Sequence, residues 1–262
     1  MNPKVTVCMC TRNRAKIMLH SIKCILDQTY KDFELLIIND ASEDNTEDIL
    51  KQVEEYDNRV RHIMLKEHNF ILARNTAFKE ALGEYICIMD SDDLCSPNRL
   101  EEQVKFLEMN TDIDIVSCKM QFGKKSSMYS IPKQLQAWNN DFFSNQIESG
   151  ENISMLLQFA TIMIRKSILE RIFPNGIYFY EEGVNGGEDT IFLYTLYFYG
   201  AKFSHIITAI YLYNYLEYSD SISGNEGKHY NQENFIFKYI HDKPYEEKKD
   251  VILKLYNKYS NG

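Results

Sequence analysis

Through residue 110 the chain keeps changing its hydrophobic period, and that alternation limits the fold more than any other feature. "KVTVCMC" (4–10), "FELLIIND" (33–40), "RVRHIML" (59–65) and "EYICIMD" (84–90) are short apolar runs of strand length. Between and after them lie "AKIMLHSIKCILDQ" (15–28), "NTEDILKQVEEY" (45–56), "ILARNTAFKEAL" (71–82) and "PNRLEEQVKFLEMN" (97–110), whose apolar residues recur at helical spacing. The spacing predicts Gly83 as the stop of the third helix and Pro97 in the first turn of the fourth. Strand and helix in strict alternation predict βαβ crossovers and a mostly parallel α/β sheet. Ligands of such sheets sit outside the carboxyl ends of the strands. Asp40 ends the second predicted strand, and Asp90, with Asp92 and Asp93 behind it, ends the fourth.

The second half is less regular. "DIDIVSCKMQF" (112–122) reads as a strand, residues 123–150 as polar loops, and 155–172 as strand and helix. "NGGEDTIFLYTLYFYG" (185–200) reads as a Gly-rich loop entering a helix, and the tail from about residue 230 as amphipathic helix. The apolar stretch 191–216 is broken by Gly200, Ala201, Lys202 and His205, so it predicts a buried helix, a turn and a strand, not a membrane span. The start reads as entering a strand almost at once, so no signal peptide is expected.

A net charge of −9 argues against a nucleic-acid partner, which needs a basic field. The six cysteines include no CxxC pair, and three lie in strand-like runs. They read as reduced core thiols of a cytosolic protein, not as a zinc site.

The acidic cluster at 90–93 is electrostatically costly, because neighbouring carboxylates repel one another. Taken alone it reads as a solvated turn or as a cation site. An EF-hand fails: counting from Asp90, the sixth position is Cys95 where Gly is needed, and counting from Asp40 the twelfth is Lys51. A P-loop fails as well, since neither GxxxxGK[ST] nor GxGxxG occurs. The binding alternative is a hard-cation site of few carboxylates, shared with phosphate oxygens.

The quoted segments also resemble a family. "VCMCTRNRAKIMLHSIKCILDQTYKDFELLIINDASEDNT" (7–46), "NFILARN" (69–75), "GEYICIMDSDDLCSPNRLE" (83–101) and "GGEDTIFL" (186–193) are similar, in order and spacing, to the signatures of the family 2 glycosyltransferases. The resemblance implies the GT-A fold, a Rossmann-like mostly parallel central sheet flanked by helices, here with a C-terminal helical extension. It implies a catalytic domain over 1–225, with a nucleotide-binding half at 1–110 and an acceptor-binding half at 111–225, and an extension at 226–262. The activity implied is transfer of a hexosyl or N-acetylhexosaminyl group from a UDP-sugar to a glycan or lipid-linked glycan, with inversion, in surface polysaccharide synthesis. Thr11 and Asp40 would contact the uridine, with Asn13 and Arg74 near the nucleotide. Asp90 and Ser91 would contact the donor, and Asp92 with Asp90 would hold Mn2+ or Mg2+. Asp189 would be the catalytic base, with Glu188 beside it. The same two acids also suit a helix start, and Arg74 also suits an ion pair within the sheet.

Three departures from the family pattern stand out. Asn39 replaces the usual first Asp of an Asp-Asp pair, Phe70 or Ile71 stands where Gly is common, and "YLYNYLEYSDSIS" (211–223) supplies no His to a metal. A metal-dependent nucleotidyltransferase and a non-catalytic relative remain as alternatives, although residues 8–16 lack the glycines of a nucleotidyltransferase loop. Tyr129, Trp138, Phe142 and Phe143 read either as sugar-stacking rings or as a hydrophobic cluster under a loop. In the tail, Val251, Ile252, Leu255 and Tyr259 form a narrow apolar stripe flanked by lysines. That stripe suits either peripheral contact with the inner face of a membrane or packing on the domain itself.

Overall fold

The computed structural model describes residues 2–122, 136–181, 187–213, 240 and 243–260. The predicted alternation is present. Strand β1 (Val5–Thr11) leads through helix α1 (Met18–Leu26) to β2 (Phe33–Asn39), then through α2 (Thr46–Tyr56) to β3 (Val60–Met64). Helix α3 (Phe70–Glu80) leads to β4 (Tyr85–Ile88), and the short strand β5 (Leu94–Cys95) precedes α4 (Arg99–Met109). Next come β6 (Ile115–Phe122), α5 (Asn140–Glu148), α6 (Ile153–Leu156), β7 (Ile162–Arg165), α7 (Lys166–Ile172), α8 (Glu188–Phe198), β8 (Phe203–Tyr213) and α9 (Tyr245–Ser260).

All the described strands join one sheet in the order β3-β2-β1-β4-β7-β6-β8-β5. β1, β2, β3 and β4 are parallel, with Val5 opposite both Phe33 and Tyr85. β7 runs antiparallel to β4 and β6, β6 and β8 are parallel, and β5 returns antiparallel to β8. Alternate residues of a strand face opposite sides of the sheet. Cys8, Leu36, Ile38, Ile86 and Ile88 accordingly enter one core with α3, α7, α8 and α9. Val7, Met9, Leu35, Ile37 and Cys87 enter another with α1, α2 and α4. Burial on both faces is why these strands read as unbroken apolar runs.

Several boundaries differ from expectation. Gly83 does not stop α3. A Cβ there would lie 2.4 Å from the Thr6 backbone nitrogen and 2.7 Å from the Val5 carbonyl carbon, so the glycine is needed for close approach to β1. Pro97 lies outside α4, whose N-cap is Asn98, and the Pro97 carbonyl accepts the Thr29 N–H. Within the predicted loop region 123–150, residues 140–148 are helical. The Asn139 side chain accepts the Phe142 N–H there, and Phe143 and Ile147 are buried one turn apart. Residues 123–135, Tyr129 among them, fall outside the described residues, as does the 225/226 boundary. Trp138 and Phe143 are buried and stack on one another, and Trp138 also stacks on His205. These two rings therefore build a core.

The 191–216 stretch folds as a helix, a turn with Gly200 at φ 80°, and a strand, the last residues lying outside the described ones. No described helix is long and apolar enough to cross a membrane. The apolar stripe of the tail is covered by the protein itself. Ile252 and Leu255 are buried, Val251 packs partly buried on the same core, and Tyr259 stacks on Tyr180 at 4.6 Å. That packing corrects the alternative in which the stripe offers itself to lipid.

Candidate functional site

The carboxyl ends of β1, β2 and β4 lie at one edge of the sheet, and α8 begins beside them. Cys10, near the end of β1, registers the convergence: its thiol, pushed up to about 12 by burial, feels Arg74, Asp90, Asp40 and Glu188 together.

Thr11 closes β1. Its Oγ1 is buried without a hydrogen-bond partner among the described residues, an unusual state for a hydroxyl and one that a ligand would relieve. Its carbonyl accepts the Asp40 N–H at 2.9 Å. Asp40 is buried; Oδ1 accepts the Asn69 N–H at 2.7 Å, and Oδ2 lies 2.8 Å from His68 Nδ1. A carboxylate has lone pairs beyond these two.

Asn13, with φ 52°, clasps the neighbouring loop. Its Oδ1 accepts the Glu43 N–H and its own N–H donates to Ser42 Oγ. The departure at Asn39 has a local cause. Its Oδ1 accepts the Ser42 N–H while its Nδ2 donates to Glu47 Oε2 at 2.9 Å. An aspartate could not donate to Glu47 and would repel it.

The turn after β4 carries the D-x-D. Its shape is held from β8: Tyr211 Oη accepts the Asp90 N–H at 3.3 Å and donates to Asp93 Oδ2 at 2.6 Å. Asp93 is thereby buried behind the turn, and Ser91 is buried as well. Beneath them the buried Arg99 guanidinium lies 4.9 Å from the Tyr211 ring and donates to the carbonyls of Ile88 and Ala160.

Asp90 and Asp92 remain half-buried. Burial raises the Asp90 carboxyl, with Asp189 adding and Arg74 opposing. Burial, and then the charge of Asp90, push Asp92 up to about 6, although Arg14 Nε lies 3.9 Å from its Oδ2. The pair is short of positive charge. No group of three or more His, Cys, Asp or Glu side chains set to hold a metal occurs among the described residues. Two hard oxygen donors fit a divalent cation that takes its other ligands from phosphate and water. His205 adds no ligand, being buried against Ser117 further back along β8, and His229 is outside the described residues.

Arg74 projects from α3 between the two acidic groups. Its Nη2 lies 3.7 Å from Glu188 Oε1, and its guanidinium stacks at 4.9 Å on Phe70 and 4.6 Å on Phe159. Its buried Nε has no hydrogen-bond partner among the described residues. Phe70, at the position where Gly is common, is thus a wall for this guanidinium.

Gly187, at φ 104°, caps α8, and Glu188 and Asp189 form its first turn. Asp189 Oδ1 accepts the Thr190 N–H at 2.6 Å, while Oδ2 has no hydrogen-bond partner among the described residues. Glu188 is buried, and burial followed by the charge of Asp189 lifts it to about 7, Arg74 opposing.

A raised folded-state pKa makes the acid favourable below about pH 4.5 and progressively unfavourable as pH rises through about 7. The penalty at full ionisation is on the order of 3 kcal/mol, from about 1.4 kcal/mol per unit. Glu188→Gln should therefore melt with wild type near pH 4.5 and several degrees above it at pH 8, by calorimetry without added cation. A melting difference that does not change with pH would mean Glu188 ionises normally.

Arg14, His68 and Tyr211 complete the site and were not singled out by sequence reasoning. Arg14 was visible as the last residue of the T-x-N-R turn. Tyr211 and His68 carry no local signal, because only the fold brings them to the acids.

The sequence model of glycosyl transferase family 2 matches residues 6–173. The putative glycosyltransferase EpsE of Bacillus subtilis is 33% identical over 193 residues, covering 70% of this chain and 69% of that protein. An uncharacterized glycosyltransferase of Rickettsia felis is 30% identical over 187 residues. The match takes in 71% of this chain, which thus spans only 29% of that longer protein. Among solved structures, S. aureus TarS 1–349 in complex with UDP-GlcNAc superposes with a TM-score of 0.67 at 23% identity, over 84% of this chain and 60% of that one. This likeness shows the GT-A fold. With the family signature running from β1 through α7 and a relative matched over two thirds of both lengths, the chain belongs to glycosyl transferase family 2.

Proposed function

We propose that the chain transfers a sugar from a UDP-sugar to a hydroxyl of a glycan or lipid-linked glycan, with inversion at the anomeric carbon. The observation that carries this reading is the gathering of Thr11, Asp40, Arg74, the Asp90–Asp92 pair and Glu188–Asp189 at one sheet edge. TarS, with the same fold, has been crystallised with UDP-GlcNAc, which supports a uridine donor. The uridine would meet the unpartnered Thr11 hydroxyl and the Asp40 carboxylate, with Asn13 keeping the adjoining loops together. Asp90 and Ser91 would meet the sugar nucleotide beyond the ring. Asp92 and Asp90 would hold Mn2+ or Mg2+, which when bound neutralises charge on the diphosphate leaving group. Arg14 beside Asp92 and Arg74 beside Glu188 add fixed positive charge to the site.

Asp189 then takes the proton of the acceptor hydroxyl through Oδ2. The acceptor oxygen attacks the anomeric carbon opposite the diphosphate, and the bond to the diphosphate breaks as the new one forms. No sugar–enzyme intermediate is required. Glu188, tied to Arg74, keeps the base and the guanidinium in register. In this reading residues 1–110 hold the donor and 111–225 the acceptor, and work at the cytoplasmic face of a membrane suits a lipid-linked acceptor. The acceptor class and a role in surface polysaccharide synthesis rest on the family resemblance.

The full chain should release UDP from one member of a UDP-sugar panel in Mn2+. Pyrophosphate release would indicate a nucleotidyltransferase instead, and binding without turnover a non-catalytic relative. Either result sinks the proposal.

Asp40 gives a second check. Asp40→Asn keeps an oxygen for the Asn69 N–H but loses the charge and one acceptor. UDP affinity should fall about tenfold or more, as when a charged hydrogen bond is lost. Asp40→Ala orphans that N–H and should also cost about 1–3 kcal/mol of stability. Calorimetry giving equal UDP affinity for Asp40→Asn and wild type removes Asp40 from the uridine site.

A further inference from the structure

Cys24 on α1 and Cys95 on β5 bring their sulfur atoms to 3.6 Å, and both are free thiols. No other cysteine pair comes into sulfur contact among the described residues. The Cys95 N–H donates to Cys24 Sγ at 3.1 Å, and Gln28 Nε2 donates to Cys95 Sγ at 3.4 Å. Cys24 is half-buried and Cys95 is buried. Cys95 lies two residues beyond Asp93, and it pairs with Tyr211, the residue that holds both Asp90 and Asp93.

We propose that Cys24 and Cys95 are a peroxide-reactive dithiol whose oxidation to a disulfide ties α1 to the D-x-D turn.

The two sulfurs are unequal. Hydrogen bonding between the two thiols brings Cys24 down to about 7; burial opposes it, and the Cys95 N–H adds to it. Cys95 lies well above the ordinary range. Thiolate character and access select Cys24 as the attacking atom. Cys8, Cys10, Cys87 and Cys118 are all raised by burial, which leaves them poor nucleophiles.

The Cys24 thiolate attacks one peroxide oxygen, the O–O bond breaks, and hydroxide leaves to take up the proton Cys24 had shed. Cys24 is then a sulfenic acid. The Cys95 sulfur attacks it, the S–S bond forms and the S–O bond breaks. The departing hydroxide leaves as water with the Cys95 proton. Two thiols have lost two electrons and two protons, and one peroxide has become two waters.

A disulfide needs its sulfurs about 2.05 Å apart, so closure draws them together by roughly 1.5 Å. The pull acts on the β5–β8 pairing that shapes the Asp90–Asp93 turn. Oxidation should therefore weaken donor binding. The crosslink is independent of the reaction proposed above, whereas this consequence rests on it.

The full chain, reduced and freed of reductant, is treated with a small excess of hydrogen peroxide. Two titratable thiols should disappear, the intact mass should fall by two hydrogens, and peptide mapping should join the segments holding Cys24 and Cys95. Dithiothreitol should reverse all three. Cys24→Ser and Cys24→Ala should each abolish the crosslink and leave unoxidised donor binding as in wild type. Wild-type affinity for UDP in Mn2+ should fall at least severalfold on oxidation and recover on reduction.

Accumulation of sulfinic acid at Cys24 without a crosslink, or a crosslink between other cysteines, overturns the dithiol. The wild-type mass and peptide map decide that point even if a variant misfolds. A crosslink that leaves UDP affinity unchanged overturns the coupling to the turn, and failure of reduced protein to bind any UDP-sugar points instead at the proposed reaction.

Discussion

Asp189→Asn should lose transfer to acceptor by roughly 100- to 10,000-fold, the usual worth of a positioned general base, while its melting temperature and UDP affinity stay near wild type. The structure makes this substitution informative. Asp189 Oδ1 accepts the Thr190 N–H within the first turn of α8, and an asparagine oxygen can do the same. What asparagine cannot do at neutral pH is take a proton at the other atom, the one without a partner in the described structure. The helix dipole favours negative charge at this end, so the substitution also removes a favourable charge, worth about 0.3–1 kcal/mol. The lifted carboxyl of Glu188 partly offsets that loss, because one of its opposing charges disappears. A purely structural Asp189 would instead leave the rate of this variant near wild type, since asparagine keeps the hydrogen bond to Thr190. Transfer within about threefold of wild type in Asp189→Asn would move the base to Glu188, whose position near pH 7 makes it the next candidate.

The sequence made the donor half of this site legible for a physical reason. Strands buried on both faces must be continuously apolar, so an acid directly behind such a run marks where the strand ends. Asp40 and Asp90 were visible in that way, and parallel order then requires them to share an edge. What holds the site in shape was not visible. The Tyr211–Asp93 hydrogen bond spans 118 residues and depends on β5 pairing with β8, two strands with no sequence signal for each other. Arg14 meets Asp92 only because the β1–α1 and β4–β5 turns lie at one edge. Gly83 shows the limit in a small case. Its place after a helix suggested a stop signal, yet its function is steric and set by a backbone nearly 80 residues away. The helix at 140–148 was hidden for another reason. Only Phe143 and Ile147 of its residues are buried, and the rest are polar enough to read as loop.

Asp92→Asn should lose roughly 100-fold or more in turnover, the scale seen when a group aimed at developing charge is removed, and yet be no less stable than wild type. The two effects have opposite causes in the same electrostatics. Without cation, Asp92 is half-buried beside Asp90 and lifted to about 6, so its ionised form weakens the fold as pH rises from the ordinary carboxylate range through 6. The Arg14 guanidinium at 3.9 Å compensates only in part. Replacing the charge with an amide removes the repulsion and, with it, most of the attraction for a hard cation. In EDTA at pH 8 the variant should therefore melt at or above wild type. Added Mn2+ should raise the wild-type melting temperature through preferential binding to the folded chain and leave the variant nearly unmoved. Chelation should abolish UDP-sugar turnover by wild type and change little in the variant. Full wild-type activity in excess EDTA would remove the cation from the reaction. A variant stabilised by Mn2+ as much as wild type would move the binding site away from Asp92.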